Sequence, residues 1–234
     1  MTPIDVRRLG RVSYDDGLAL QAELVDARKA GTIGDTLLLL EHPPVITLGV
    51  KTRQGPKHIV ASDRVLAEEG VTVHETGRGG DVTYHGPGQL VGYPIFDLNP
   101  DRRDVHRYVR DIEEVLIRAA AAFGIEARRV EGLTGVWVGA EGREEKLAAI
   151  GVRISRWITS HGFALNVTTN LDHFKLIVPC GIVDRGVTSL AMQLDRPVSM
   201  REAEDAVVTA VADVFATPTL SLRAFKPGDV TLTE

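Results

Sequence analysis

Fourteen residues from Gly77 to Leu90, GRGGDVTYHGPGQL, hold five glycines and a proline among an arginine, an aspartate, a tyrosine and a histidine. Glycine reaches backbone conformations and close approaches that a Cβ forbids. A segment this dense in glycine constrains the fold to press main chain against something here, and the polar side chains make a ligand the expected neighbour. A tight loop between two strands is the plainer reading. For Gly86-Pro87-Gly88 alone that reading is preferred, because such tripeptides punctuate turns. For the whole run a binding loop is the better account. The run is not a P-loop, since it lacks the closing Gly-Lys-Ser/Thr. It is not a dinucleotide fingerprint either, because Val82-Thr83-Tyr84 follows where a helix should open.

The 234 residues are enough for one large domain or two small ones. No repeat, low-complexity tract or linker divides them, so residues 1–234 are read as a single domain. Hydrophobic content of 44% with 25% charged residues is that of a soluble globular chain. The net charge of −5 argues against a general nucleic-acid binder, while leaving room for a local basic patch that docks an acidic partner. No apolar stretch is long enough to span a bilayer, and the first residues lack the apolar core of a signal peptide. A single cysteine forms no internal disulfide, which makes the cytoplasm the expected compartment.

Local signals predict helices over 13–30, 62–69, 104–123 and 199–215. Ser13 with Asp16 caps the first and Gly31 stops it. Asp104 caps the third, whose apolar positions are Val105, Val109, Ile112, Leu116 and Ala119. Ser199 and Glu202 form a capping box for the last. Strands are predicted over 36–40 and 45–48 with a turn at Glu41-His42-Pro43-Pro44, over 71–74 and 89–96 flanking the glycine-rich run, and over 134–138, 147–154 and 157–167 joined by tight turns. Strands cluster in the middle and the long helices stand apart, which is the pattern of an α+β fold.

Cys180, in Val178-Pro179-Cys180-Gly181-Ile182, sits on a shaped turn that presents its thiol as a candidate nucleophile. A small buried hydrophobe is the commoner fate of a free cysteine. A free thiol has a pKa of roughly 8.5, so a catalytic role requires a cation or base close by. Lys146 opens the apolar run Leu147 to Val152 after a polar turn, and a solvated strand start is its plain reading. Sequence spacing does not bring it to Cys180; only a fold could. His85 and His161 each precede glycine and are candidates for a base or a polar pocket wall. Cysteine and histidine spacing shows no metal-ligand pattern. Glu113-Glu114 reads as the solvated face of a helix.

Taken together, Arg78 to Leu90, Lys146 to Arg153, Ser160 to Val167 and Pro179-Cys180-Gly181 resemble the lipoyl(octanoyl) transferase family of lipoate biosynthesis. The resemblance runs from Glu41 to Leu190, nearly two-thirds of the chain, with the motifs in the family's order and spacing. It implies a mixed β-sheet flanked by helices, similar to the biotin and lipoate protein ligases. It also implies transfer of an octanoyl group from octanoyl-acyl carrier protein to a lysine of lipoyl domains, those of the 2-oxoacid dehydrogenases and the glycine cleavage H protein, with no cofactor, metal, nucleic acid or membrane partner. By the same resemblance Cys180 is the nucleophile and Lys146 its dyad partner. The acyl-binding segments map to Arg78, Gly79, Gly80, Asp81, Val82, Thr83, Tyr84 and His85, to Ala149, Ile150 and Gly151, and to Gly162, Phe163 and Ala164. Arg78, Arg153 and Arg156 are candidates for docking the acidic carrier, with plain surface or structural residues as the equal alternative. An ATP-dependent ligase on the same fold, an inactive acyl-binding module and a thiol hydrolase using Cys180 and His161 are the competing readings.

Overall fold

The computed structural model describes residues 3–54, 58–178, 185–215 and 220–224. After β1 (Ile4–Arg11), helix α1 (Tyr14–Lys29) starts where Ser13 accepts a hydrogen bond from the Asp16 amide, and acidic Asp15 and Asp16 complement its dipole. Then comes β2 (Thr36–Glu41), whose four consecutive leucines are all buried. Leu37 and Leu39 face one side of the sheet and Leu38 and Leu40 the other, so an unbroken apolar run marks a strand covered on both faces.

The predicted two strands and a turn at 36–48 exist, but not as a hairpin. β3 (Val45–Leu48) leaves the sheet of β2 and becomes the centre of a second one. Two prolines without N–H groups follow His42, whose ring is buried between the Val12 carbonyl and the Tyr93 hydroxyl, so the chain turns away there. Helix α2 (Asp63–Glu68) is capped by Ser62 and leads to β4 (Thr72–Glu75). Within the glycine-rich run the chain forms a further strand, β5 (Val82–His85), which pairs antiparallel with β3 on the side opposite β4. Val82, Tyr84, Ile46, Leu48, Leu66 and Phe174 fill a small core of their own.

The larger sheet continues with β6 (Gln89–Ile95), and helix α3 (Val105–Ala121) follows with Asp104 accepting from the Arg107 amide. β7 (Arg128–Val130), β8 (Leu133–Val138), β9 (Glu145–Ser155) and β10 (Ile158–Asn166) form a meander. The β9–β10 turn is Arg156-Trp157, both at positive φ, the two-residue geometry that matches strand twist. Short helix α4 (Leu190–Leu194) precedes α5 (Met200–Phe215), where the Ser199 hydroxyl and Glu202 carboxylate reciprocate as the predicted capping box. β11 (Leu220–Ala224) completes the strand order β11-β1-β2-β6-β10-β9-β8-β7, parallel only at β11–β1–β2. Helices α3 and α5 cover one face through Ile112, Leu116, Val207 and Val211, and α1 covers the other through Leu24. The architecture is the mixed-sheet α+β fold expected.

Gly92 of β6 lies opposite Phe163 of β10, and a Cβ there would stand 2.0 Å from the Phe163 ring. Gly92→Ala is expected to cost about 1–3 kcal/mol through overpacking, lowering the thermal midpoint by roughly 3–10 °C. An unchanged melting curve would show that the sheet yields at this point.

Candidate active site

A cavity of about 580 Å³ is lined from both sheets. Arg78, Gly79, Gly80, Asp81, Thr83 and His85 border it from the glycine-rich run; Lys146, Ala149, Ile150 and Gly151 from β9; Gly162, Phe163 and Ala164 from β10. Three segments distant in sequence are thus brought to one space. Val82 and Tyr84 are the exceptions: strand alternation in β5 turns their side chains into the small core, away from the cavity. The glycines are explained in part by protein rather than ligand. The Gly79 amide donates to the Val152 carbonyl at 2.8 Å, and a Cβ on Gly151 would stand 2.9 Å from the Gly79 oxygen. The loop therefore lies directly on the sheet, and the cavity opens beside that contact.

Arg78 is not a surface docking residue. It is 7% exposed, and its guanidinium donates to the Thr47 carbonyl at 2.6 Å, to the Thr47 hydroxyl at 2.9 and 3.1 Å and to the Gly79 carbonyl at 3.0 Å. Its role is to brace the loop against β3, leaving Arg153 and Arg156 as the exposed members of the trio.

Arg78 also begins a polar chain through the site. The Thr47 hydroxyl donates to His85 Nε2 at 3.4 Å, and His85 Nδ1 donates to Gln89 Oε1 at 2.8 Å. The Gln89 amide donates to Asn166 Oδ1 at 2.9 Å, and the Asn166 amide to the Thr188 carbonyl at 2.9 Å. Burial drives the His85 pKa down to about 3, with His42 and Arg78 adding to the effect. Burial likewise lowers His161 to about 4, helped by the Arg78 and Arg153 cations. Both rings are neutral at physiological pH and serve as polar walls. As bases they are weak.

Lys146 is tied by its backbone to the chain that follows the Cys180 segment. Its N–H donates to the Gly186 carbonyl at 2.9 Å, and its carbonyl accepts from the Thr188 N–H at 3.0 Å. On the other side of that segment the Val178 N–H donates to the His58 carbonyl at 2.8 Å. Cys180 itself lies outside the described residues.

Glu113 corrects the sequence reading most sharply: it is fully buried, not solvated. Its carboxylate accepts from Arg110 at 2.7 Å, Arg129 at 3.1 Å and the Gly135 amide at 3.2 Å, and it borders the cavity. The signal was present. Position 113 is four residues after Val109 and three before Leu116, on the apolar stripe of α3. Gln89, Asn166 and Thr47 were also missed, because a lone amide or hydroxyl in a strand carries no motif.

A large mixed sheet with a small one beside it and helices on its faces is the fold of lipoate–protein ligases. A bi-partite lipoate protein ligase from Thermoplasma acidophilum superposes with a TM-score of 0.74 at 16% identity, over 97% of this chain and 89% of that one. Lipoate-protein ligase A bound with ATP gives 0.72 at 15% identity, over 97% and 90%. At such identities the likeness is one of fold. Residues 13–212 match the lipoyl protein ligase A/B catalytic domain, and the chain belongs to that family. It is 58% identical to the octanoyltransferase of Myxococcus xanthus, across 92% of this chain but only 60% of that longer protein. With the octanoyltransferase of Acidobacterium capsulatum it shares 52% over 97% of this chain and 95% of the other. With that of Koribacter versatilis it shares 55% over 94% and 88%.

His42, like His85 and His161, is held neutral by burial, with its pKa lowered to about 4. Rings depressed below 6.5 in the fold bind protons more readily when unfolded, so the stability they allow is present above about pH 6.5 and lost as pH falls toward 4. Each contributes up to about 1.4 kcal/mol per pH unit in that window. The urea midpoint is therefore expected to drop clearly between pH 7 and pH 5; a flat profile would mean that the rings are charged in the fold.

Proposed function

We infer that this chain is an acyltransferase of protein lipoylation that moves an octanoyl group from octanoyl-acyl carrier protein to a lysine of a lipoyl domain through Cys180. The observation that carries this reading is identity of more than half to octanoyltransferases over nearly the whole chain. The backbone link between Lys146 and Gly186–Thr188, at one end of the Cys180 segment, supports the dyad. For the acceptor, the support is that the T. acidophilum ligase of the same fold was determined as part of a lipoylation system with its E2 lipoyl domain. The 2-oxoacid dehydrogenase complexes and the glycine cleavage H protein are the acceptors we assign. Residues 1–234 act as one catalytic domain in the cytoplasm; among the described residues no helix is long and apolar enough to cross a membrane.

Two protein substrates can hardly share one pocket, and a covalent intermediate divides the reaction. The Cys180 thiolate attacks the donor thioester carbonyl, a new thioester forms on Sγ, and the carrier thiol leaves with a proton from the Lys146 ammonium. The acceptor amine then attacks this thioester and gives its proton to the neutral Lys146. The amide forms as Cys180 departs as thiolate, and the starting ion pair is restored. Lowering the thiol pKa by about two units raises the thiolate fraction at neutral pH only ~25-fold. Positioning and oxyanion stabilisation supply the rest of the acceleration. Burying an octanoyl chain contributes roughly 0.8 kcal/mol per CH₂, enough for length selection in a cavity walled by Ala149, Ile150, Phe163 and Ala164.

Mixing the protein with octanoyl-acyl carrier protein, without ATP, should add one octanoyl mass that a lipoyl domain removes. Cys180→Ser should abolish the adduct and Lys146→Ala should slow its formation at least about a hundredfold. An ATP requirement, or full activity of Cys180→Ser, would instead establish a ligase. Ala149→Leu, which adds bulk into the cavity, should shift preference toward shorter acyl donors; an unaltered preference would put the acyl chain elsewhere.

A further inference from the structure

Lys146 and Trp137 face each other because the pairing of β8 with β9 is irregular. Val136 pairs with Ala148, but the next residue, Trp137, pairs with Lys146 rather than Leu147. The extra residue is a β-bulge, a device that re-aims side chains beside functional sites. Trp137 is 1% exposed, and its indole N–H donates to the Leu133 carbonyl at 3.4 Å, which fixes the ring. The Lys146 ammonium lies 4.6 Å from the Trp137 ring centroid. Gly135, at φ 126, borders the same slot. A Cβ there would be 3.5 Å from Lys146 Cε, 3.7 Å from the indole nitrogen and 2.8 Å from the Ala148 carbonyl. The Gly135 amide is held by the buried Glu113.

Among the described residues, two carboxylates near this slot are met by arginines. Glu113 is met by Arg110 and Arg129, and Glu144 by Arg128 and Arg185. The Arg185 guanidinium lies 6.0 Å from the same ring, and Glu145 approaches Gly186. A lysine stem has four flexible carbons, so an ammonium that must act at one place needs a seat. The face of an indole within ~6 Å attracts a cation through its quadrupole, most strongly where water is excluded.

We infer that Trp137 is the positioning residue of Lys146, its buried ring face forming the seat on which the bulge and Gly135 hold the Lys146 ammonium. The inference gains its catalytic meaning from the proton role proposed above for Lys146, but the seat belongs to these two side chains and is measurable without the reaction. The six lysines make a protein labelled with ¹³C at Cε readable by NMR, with Lys146 assigned through Lys146→Arg. The Lys146 ε-protons should be displaced upfield by the Trp137 ring current, and Trp137→Leu should abolish that displacement.

Fluorinated tryptophans weaken the ring quadrupole with little change of shape, so the second measurement does not depend on the leucine variant folding. In a Trp157→Phe background, where Trp137 is the only tryptophan, increasing fluorination should raise the Lys146 acid dissociation constant stepwise, about tenfold across the series. Its melting temperature should stay the same. Acyl-enzyme formation should slow in the same order. Absence of a ring-current displacement, or a Lys146 titration indifferent to fluorine, would overturn the seat. Normal acylation by Lys146→Ala would instead overturn the proton role while leaving the seat intact.

Discussion

A backbone hydrogen bond from the Gly79 amide to the Val152 carbonyl sets the first part of the glycine-rich loop on the large sheet. The Gly79 oxygen stands 2.9 Å from where a Cβ of Gly151 would be, and the Gly80 oxygen 2.3 Å from that of Gly49. A side chain at Gly151 would lift the loop off the large sheet, and one at Gly49 would push the same loop away from the end of β3, so the cavity walls would no longer share one space. The braces of the cavity walls are polar and buried: Arg78 on Thr47 holds the loop to β3, and the Glu113 carboxylate on Gly135 holds α3 to β8. In surroundings of low dielectric such bonds are strong when complete and costly when broken. The site is therefore held by a few main-chain approaches rather than by bulk.

What the sequence made legible follows from how local each cause is. Helices α1, α3 and α5 begin at Ser13, Asp104 and Ser199 because a side-chain oxygen caps amides two or three residues away, an effect complete within five residues. The run Leu37 to Leu40 announces a buried strand for a similar reason. Strand partners were not legible. Nothing near Pro43-Pro44 says that β3 joins a second sheet, and Val82 to His85 becomes a strand only because β3 lies alongside it. The chemistry divides the same way. Glycine density and the motifs around Lys146 pointed to the cavity, whereas the burial of Arg78 and Glu113 depends on partners 31 and 22 residues distant. A charged residue reads as solvated until its partner is known.

The Lys146 environment shows how a strand irregularity can matter more than residue identity. Had β8 and β9 kept a regular ladder, Trp137 would face Leu147, and the lysine would project to the opposite side of the sheet. One additional residue in β9 exchanges an apolar pair for an aromatic–cation pair. That same strand start receives the chain returning at Gly186 to Thr188. Sheet register decides that Lys146 meets Trp137.

The polar chain from Arg78 to Thr188 has a further consequence. An arginine at its head only donates and a carbonyl at its foot only accepts, so every link between them points one way. The carboxamide N–H protons of Gln89 and Asn166 are not acidic enough to hand on, and reversing the sequence would leave Arg78 facing a donor. The assembly is an insulator: it transmits orientation along its length and conducts no proton.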